Sequence, residues 1–208
     1  MMTQTKESQA ALSPDSAITL LKEGNTRFVS KSMEDRDLIQ QVEQTATGQY
    51  PFATILSCID SRVSAELVFD QGVGDIFSAR VAGNIVNADL LGSMEFACKL
   101  AGTKVIVVLG HTACGAVKGA CDDARLGNLT LLLSRIRGAV DAVQEPTAPE
   151  ERTSKNGAFV NAVAEKNVVM TIENIRNQSP VLKDMEDAGE IKIVGAMYDI
   201  ADGKVHWL

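Results

Sequence analysis

The chain has 208 residues, 45% hydrophobic and 23% charged, the balance of a soluble globular protein with one domain and one core. Its formal net charge of −7 repels phosphate backbones and argues against nucleic-acid binding, and no apolar run approaches the roughly 20 residues needed to span a bilayer, so no membrane partner is expected. The first nine residues lack an apolar segment behind a basic start, so no secretory signal is read there, and a cytoplasmic protein with reduced thiols is expected.

In chain order, residues 1–12 are polar and unpatterned and read as a disordered tail, leaving residues 13–208 as a single domain that opens with a helical arm over 13–45. Ser13-Pro14 starts a helix, the serine capping free amides and the proline occupying the first turn. Ile18, Leu21 and Phe28 recur at helical spacing with Asn25 on the same side, and Met33 to Gln44 reads as a second helix. Pro51 closes this region. Phe52 to Ser57 is then an apolar run of strand length that ends at Cys58, and Ile76 to Val81 is another. Ala88 to Ala101 reads as a helix with Leu90, Leu91, Met94, Ala97 and Cys98 inward and Gly102 as its cap. Val105 to Leu109 is a β-branched strand running into Gly110-His111. Helices follow over Ala113 to Cys121 and Thr130 to Val143, joined by a loop at Gly127-Asn128. After the break at Pro146 to Pro149, a long helical pattern covers Glu150 to Asn177. The chain then reads as a strand at Ile191 to Tyr198, a turn at Asp202-Gly203 and a last short strand at Lys204 to Leu208. Strands alternating with helices argue for an α/β fold, a mainly parallel central sheet flanked by helices.

Two of those strands lead into the residues that carry chemistry, Cys58-Ile59-Asp60-Ser61-Arg62 and His111-Thr112-Ala113-Cys114-Gly115. Thiolate and neutral imidazole are good zinc donors, and Cys58, His111 and Cys114 are three of them. A structural zinc site normally closes with four protein ligands, whereas three leave a position for water or substrate; Cys98, Cys121 and His206 stand in no ligand motif. A catalytic Zn2+ is therefore the favoured reading over a structural one. Cys114 as a nucleophile with His111 as its base is a further alternative, but such a pair usually needs a group to orient the histidine. Asp60 and Arg62 could form an ordinary surface ion pair. Beside a metal, they admit two functional roles: an ionised carboxylate that orients the reacting water, or a fourth ligand once Arg62 releases it. Gly72-Val73-Gly74 is too short for a dinucleotide fingerprint, since Phe77 stands where the third glycine would be.

These motifs carry a resemblance. Cys58 to Arg62, Arg80 with Gly83-Asn84, and His111 to Gly115 occur in the order found in β-class carbonic anhydrases, and Asn25-Thr26-Arg27-Phe28 resembles that family's N-terminal helix. The resemblance implies the β-carbonic anhydrase fold and the zinc-dependent reversible hydration of carbon dioxide to bicarbonate and a proton. It assigns Gln49 to a substrate oxygen and Phe77 and Ala82 to the apolar substrate wall, although Gln49 otherwise reads as a loop residue and Phe77 as core. It also implies self-association as a homodimer or tetramer, with the N-terminal arm on the partner subunit. Rival readings are a hydrolase for carbonyl sulfide or carbon disulfide on the same frame, and a non-enzymatic zinc-dependent binding protein.

Overall fold

The computed structural model describes residues 3–208. Its centre is a five-stranded sheet of β1 (Ala53–Ser57), β2 (Ile76–Arg80), β3 (Val105–His111), β4 (Lys192–Tyr198) and β5 (Val205–Trp207), in the order β2-β1-β3-β4-β5. The first four strands are parallel and β5 closes one edge antiparallel to β4. Every residue of β1 and β3 is buried, the pattern expected where helices cover both faces of a parallel sheet.

Side chains alternate across the pleat and so split the core in two. Leu56, Ile106 and Val108 face one side, where they meet α5 (Ala88–Glu95), α6 (Gly115–Cys121), α7 (Gly127–Ala142), α8 (Gly157–Gln178) and α9 (Pro180–Asp187). Ile55, Val105, Val107 and Leu109 face the other side, beneath α2 (Pro14–Val29) and α4 (Ala65–Val68).

The N-terminal region departs from the sequence expectation in two ways. Residues 1 and 2 of the expected tail lie outside the described residues, but its remainder contains a helix, α1 (Lys6–Ala11). Thr5 and Ser8 cap it reciprocally, and Gln9 anchors it by donating to the carbonyls of Pro51 at 2.6 Å and Ala101 at 2.8 Å. Polar residues thus order this segment, and hydrophobic periodicity does not detect them. The second departure concerns α2, expected on a partner subunit, which docks on its own sheet with Ala17 and Leu21 fully buried. Asn25 fixes the contact: its Nδ2 donates to the carbonyls of Val68 and Gly203, and its Oδ1 accepts from the Val205 amide.

Element ends also shift. The second helix, α3, covers only Leu38–Thr45; it buries Gln41 and leaves Leu38, Ile39 and Val42 exposed. The Ala88 helix passes into a π-helical turn at Phe96–Leu100. Gly127-Asn128, expected as a loop, opens α7, and α8 begins at Gly157 after a short 3₁₀ turn at Pro149–Glu151. No helix among the described residues is long and apolar enough to cross a membrane.

Candidate metal centre

The parallel register places Ser57 of β1 beside Leu109 of β3, so the residues that follow both strands emerge at one sheet edge. Cys58 leaves β1 there, His111 ends β3, and Cys114 stands at the N-terminus of α6. Ala113 makes the sharp turn between the last two with φ of 55°, its amide donating to Asn161 Oδ1 at 2.9 Å.

Cys58, His111 and Cys114 are buried, and their donor atoms all lie within 4.8 Å of one another. The two sulfurs are 3.9 Å apart. Two thiolates about 2.3 Å from a tetrahedral zinc ion would be separated by about 3.8 Å. His111 Nδ1 lies 2.9 Å from the carbonyl oxygen of Thr112, which can only accept, so Nδ1 carries the proton and Nε2 presents its lone pair. Nε2 is buried and has no hydrogen-bond partner. An orphaned imidazole nitrogen facing two sulfurs at this spacing fits zinc.

The protein also prepares one sulfur as an anion. The Cys114 thiol, set against Cys58, pulls the Cys58 thiol down to about 4, with further help from the Gly83 amide donating to its sulfur at 3.3 Å. Cys114 moves the other way, since the adjacent Cys58 sulfur and burial both oppose a second negative charge. Gly83 must be glycine to make its contact: its φ is 71°, and an added Cβ would lie 2.5 Å from Ile136 Cδ1. Its carbonyl is held in turn by Asn167 Nδ2 at 2.8 Å.

Asp60 faces this group from across the site, its Oδ2 3.9 Å from His111 Nε2. Arg62 holds the Asp60 carboxyl well below the usual carboxylate range through paired side-chain hydrogen bonds, and the Arg62 amide also donates to Oδ1 at 3.0 Å. Arg80 donates to the carbonyls of Cys58 at 2.9 Å and Asp60 at 2.7 Å, securing the loop that carries both.

A cavity of about 300 Å³ opens beside the centre. Cys58 and Asp60 lie at one side, while Ile59, Ala82, Ala116, Leu129 and Leu133 make most of the wall apolar. Of the three expected substrate residues, Ala82 lines this cavity. Gln49 is exposed in the loop before β1, and Phe77 lies on edge strand β2, lining a separate depression where it meets Phe96 edge-on at 6.4 Å. The chain does not bring those two to its own Cys-His-Cys group. Sequence reading did not reach Asn161 and Asn167, which brace the site from α8, because nothing in a single asparagine marks a contact across roughly 50 to 80 residues.

Comparison with known proteins agrees with this geometry. A family model described as carbonic anhydrase matches residues 53–205. Carbonic anhydrase 2 of Mycobacterium tuberculosis is 35% identical over 194 residues, which are 92% of this chain and 91% of that protein. Carbonic anhydrase of Mycolicibacterium smegmatis is 33% identical over 195 residues, 92% of each chain. Among solved structures, the β-carbonic anhydrase CcaA superposes with a TM-score of 0.70 at 25% identity, covering 91% of this chain and 94% of that one. CafA of Aspergillus fumigatus gives 0.68 at 25% identity over 93% and 89%. With its parallel sheet, its buried Cys-His-Cys group and these relatives, the chain belongs to the carbonic anhydrase family and has the β-class fold.

Proposed function

We propose that the protein catalyses the reversible hydration of carbon dioxide, CO2 and water giving bicarbonate and a proton, with zinc held by Cys58, His111 and Cys114. The observation that carries the proposal is the unpartnered His111 Nε2, buried with two sulfurs and facing an ionised Asp60. Bound there, zinc would supply a Lewis acid that makes water nucleophilic near neutral pH.

The chain's own residues supply the rest. Asp60, kept anionic by Arg62, is the hydrogen-bond acceptor beside the centre and orients the reacting water through its carboxylate oxygens. Its pairing with Arg62 occupies both oxygens and supports this role over ligation, the second role open to it. The apolar wall suits an uncharged gas, and with Asp60 as the one carboxylate lining it the cavity favours release of the anionic product. Gln49 and Phe77 lie outside their own cavity, so any substrate contact they make comes through a second copy of the chain. This supports a homodimer, with the exposed edge strand β2 as a surface for it.

The test is stopped-flow carbon dioxide hydration by zinc-loaded protein with a pH indicator. Rapid proton release above the uncatalysed rate is expected, and its absence at one zinc per chain would refute the proposal.

A further inference from the structure

Between α7 and α8 lies a second cavity, distinct from the metal centre and of about 160 Å³, the space of about five waters at roughly 30 Å³ each. Its lining is unlike an ordinary helix contact. The rest of the inner face of α8 is apolar, through Val163, Val168, Ile172 and Ile175. Toward this cavity the helix instead presents Asn167, Thr171, Asn174 and Gln178, spaced by four, three and four residues and therefore stacked in one stripe. Asn167 and Thr171 are only 3% and 2% exposed. Asn167 already gives one amide hydrogen to the Gly83 carbonyl, which leaves the rest of its carboxamide and the other three polar side chains to face the cavity.

Arg135 of α7 reaches the same cavity. Every other arginine in the chain pairs with a carboxylate or a carbonyl, whereas Arg135 has neither among the described residues. No acidic residue lines the cavity. One uncompensated guanidinium, three carboxamides and a hydroxyl form a donor-rich cleft whose only formal charge is positive. That chemistry recognises an anion with several acceptor oxygens, and the volume limits it to a few heavy atoms.

We propose that the cleft between α7 and α8 binds a small free oxyanion, with Arg135 supplying the charge and the α8 stripe the remaining hydrogen bonds. The floor of the cleft connects to the metal loop, since Asn167 donates to the Gly83 carbonyl and the Gly83 amide donates to Cys58 Sγ. Asn167 is therefore a poor residue to change in a test. Arg135 is exposed and has no internal partner, so Arg135→Gln should fold normally.

The experiment is isothermal titration of the zinc-loaded protein with inorganic phosphate, ionic strength being held constant with sodium chloride. Phosphate reaching the metal would bind wild type and variant alike, so the difference between them isolates the cleft. Arg135→Gln is expected to weaken one class of phosphate sites at least tenfold, and Asn174→Ala to weaken the same class in an otherwise native protein. Identical isotherms for wild type and Arg135→Gln, or no phosphate binding by wild type, would overturn the proposal.

Discussion

Arg62 grips Asp60 at both carboxylate oxygens, Nε on Oδ1 at 2.9 Å and Nη2 on Oδ2 at 2.7 Å. Arg62 is about half exposed while Asp60 is mostly covered, so the arginine approaches from the solvent side and holds the carboxylate toward His111. Asp60→Asn removes the charge and should lower kcat/KM for carbon dioxide roughly 10²- to 10⁴-fold, the usual range for a group that handles a proton. Arg62→Lys cannot reproduce the planar fork and should lose most of the same activity. Both variants should keep their zinc. Stopped-flow assay of zinc-matched samples decides, and near-wild-type turnover in Asp60→Asn would remove the carboxylate from the mechanism.

The metal assignment makes its own prediction. Replacing Cys58 or His111 by alanine leaves two of three converging donors, so zinc content should fall from about one per chain to a small fraction, and activity with it. Metal analysis after gel filtration checks this. Full zinc retention in both variants would place the ion elsewhere.

A different carboxylate makes the fold sensitive to acid. Asp70 is fully buried between Arg27, whose Nε lies 2.5 Å from Oδ2, and Arg36, whose guanidinium contacts Oδ1. Burial pushes the Asp70 carboxyl up, but hydrogen bonds from Arg27, Arg36 and the Glu34 amide together outweigh it and leave the group below its ordinary value. A lowered folded-state pKa means that this stabilisation is complete above the unfolded carboxyl value of about 3.9 and fades as pH falls through the folded one. Asp70→Asn leaves Arg36, only 6% exposed, without its counter-charge, a loss of about 3 to 5 kcal/mol at pH 7. Urea unfolding of both proteins should show the gap narrowing below about pH 4. A gap that stays constant with pH would mean the carboxylate's charge is not what stabilises this junction.

Where α2 meets the body of the protein, Gly24 leaves no room for a side chain. An added Cβ would lie 1.8 Å from the Phe69 carbonyl oxygen, a backbone atom that cannot swing aside. Gly24→Ala should therefore lift α2 from the sheet and uncover Ala17 and Leu21, destabilising by at least the roughly 3 kcal/mol at the upper end of overpacking. Thermal unfolding measures this directly, and an unchanged midpoint would contradict the docking of α2 on its own chain.

The centre of this fold is legible in the sequence because its signals are local. Unbroken apolar runs mark β1 and β3, and the candidate ligands Cys58 and His111 follow them within one or two residues, so motif and strand end coincide there. The periphery is less legible because its determinants are long-range or inverted. In α3 the buried residue is Gln41, whose side-chain carbonyl accepts from the Val73 amide, while the apolar Leu38, Ile39 and Val42 face outward; the sequence marks a helix there but not which face it buries. The short α4 and the separate α9 leave too little pattern, and Ser179 both ends α8 and caps α9. Gln49 illustrates the limit at the site itself. The family pattern assigns it to substrate, but its place on the outside of the chain becomes visible only in the folded molecule.

That placement yields the last prediction. If Gln49 serves substrate across a dimer, each site combines Asp60 of one chain with Gln49 of the other, and a two-fold dimer holds two such composite sites. Gln49→Ala and Asp60→Asn should each be strongly impaired as homodimers. In a mixed dimer the first variant contributes an intact Asp60 and the second an intact Gln49, so one site is whole and the other carries both lesions. After equal amounts of the two variants are unfolded together and refolded with zinc, random assortment makes half the dimers mixed, each with one of two sites working. Activity should recover to roughly a quarter of wild type, well above the sum of the separately refolded variants. If Gln49 instead acts within its own chain, no mixed dimer contains a whole site and no recovery occurs. Absence of recovery, in a sample shown by tagged pull-down to contain mixed dimers, would remove Gln49 from the partner's site.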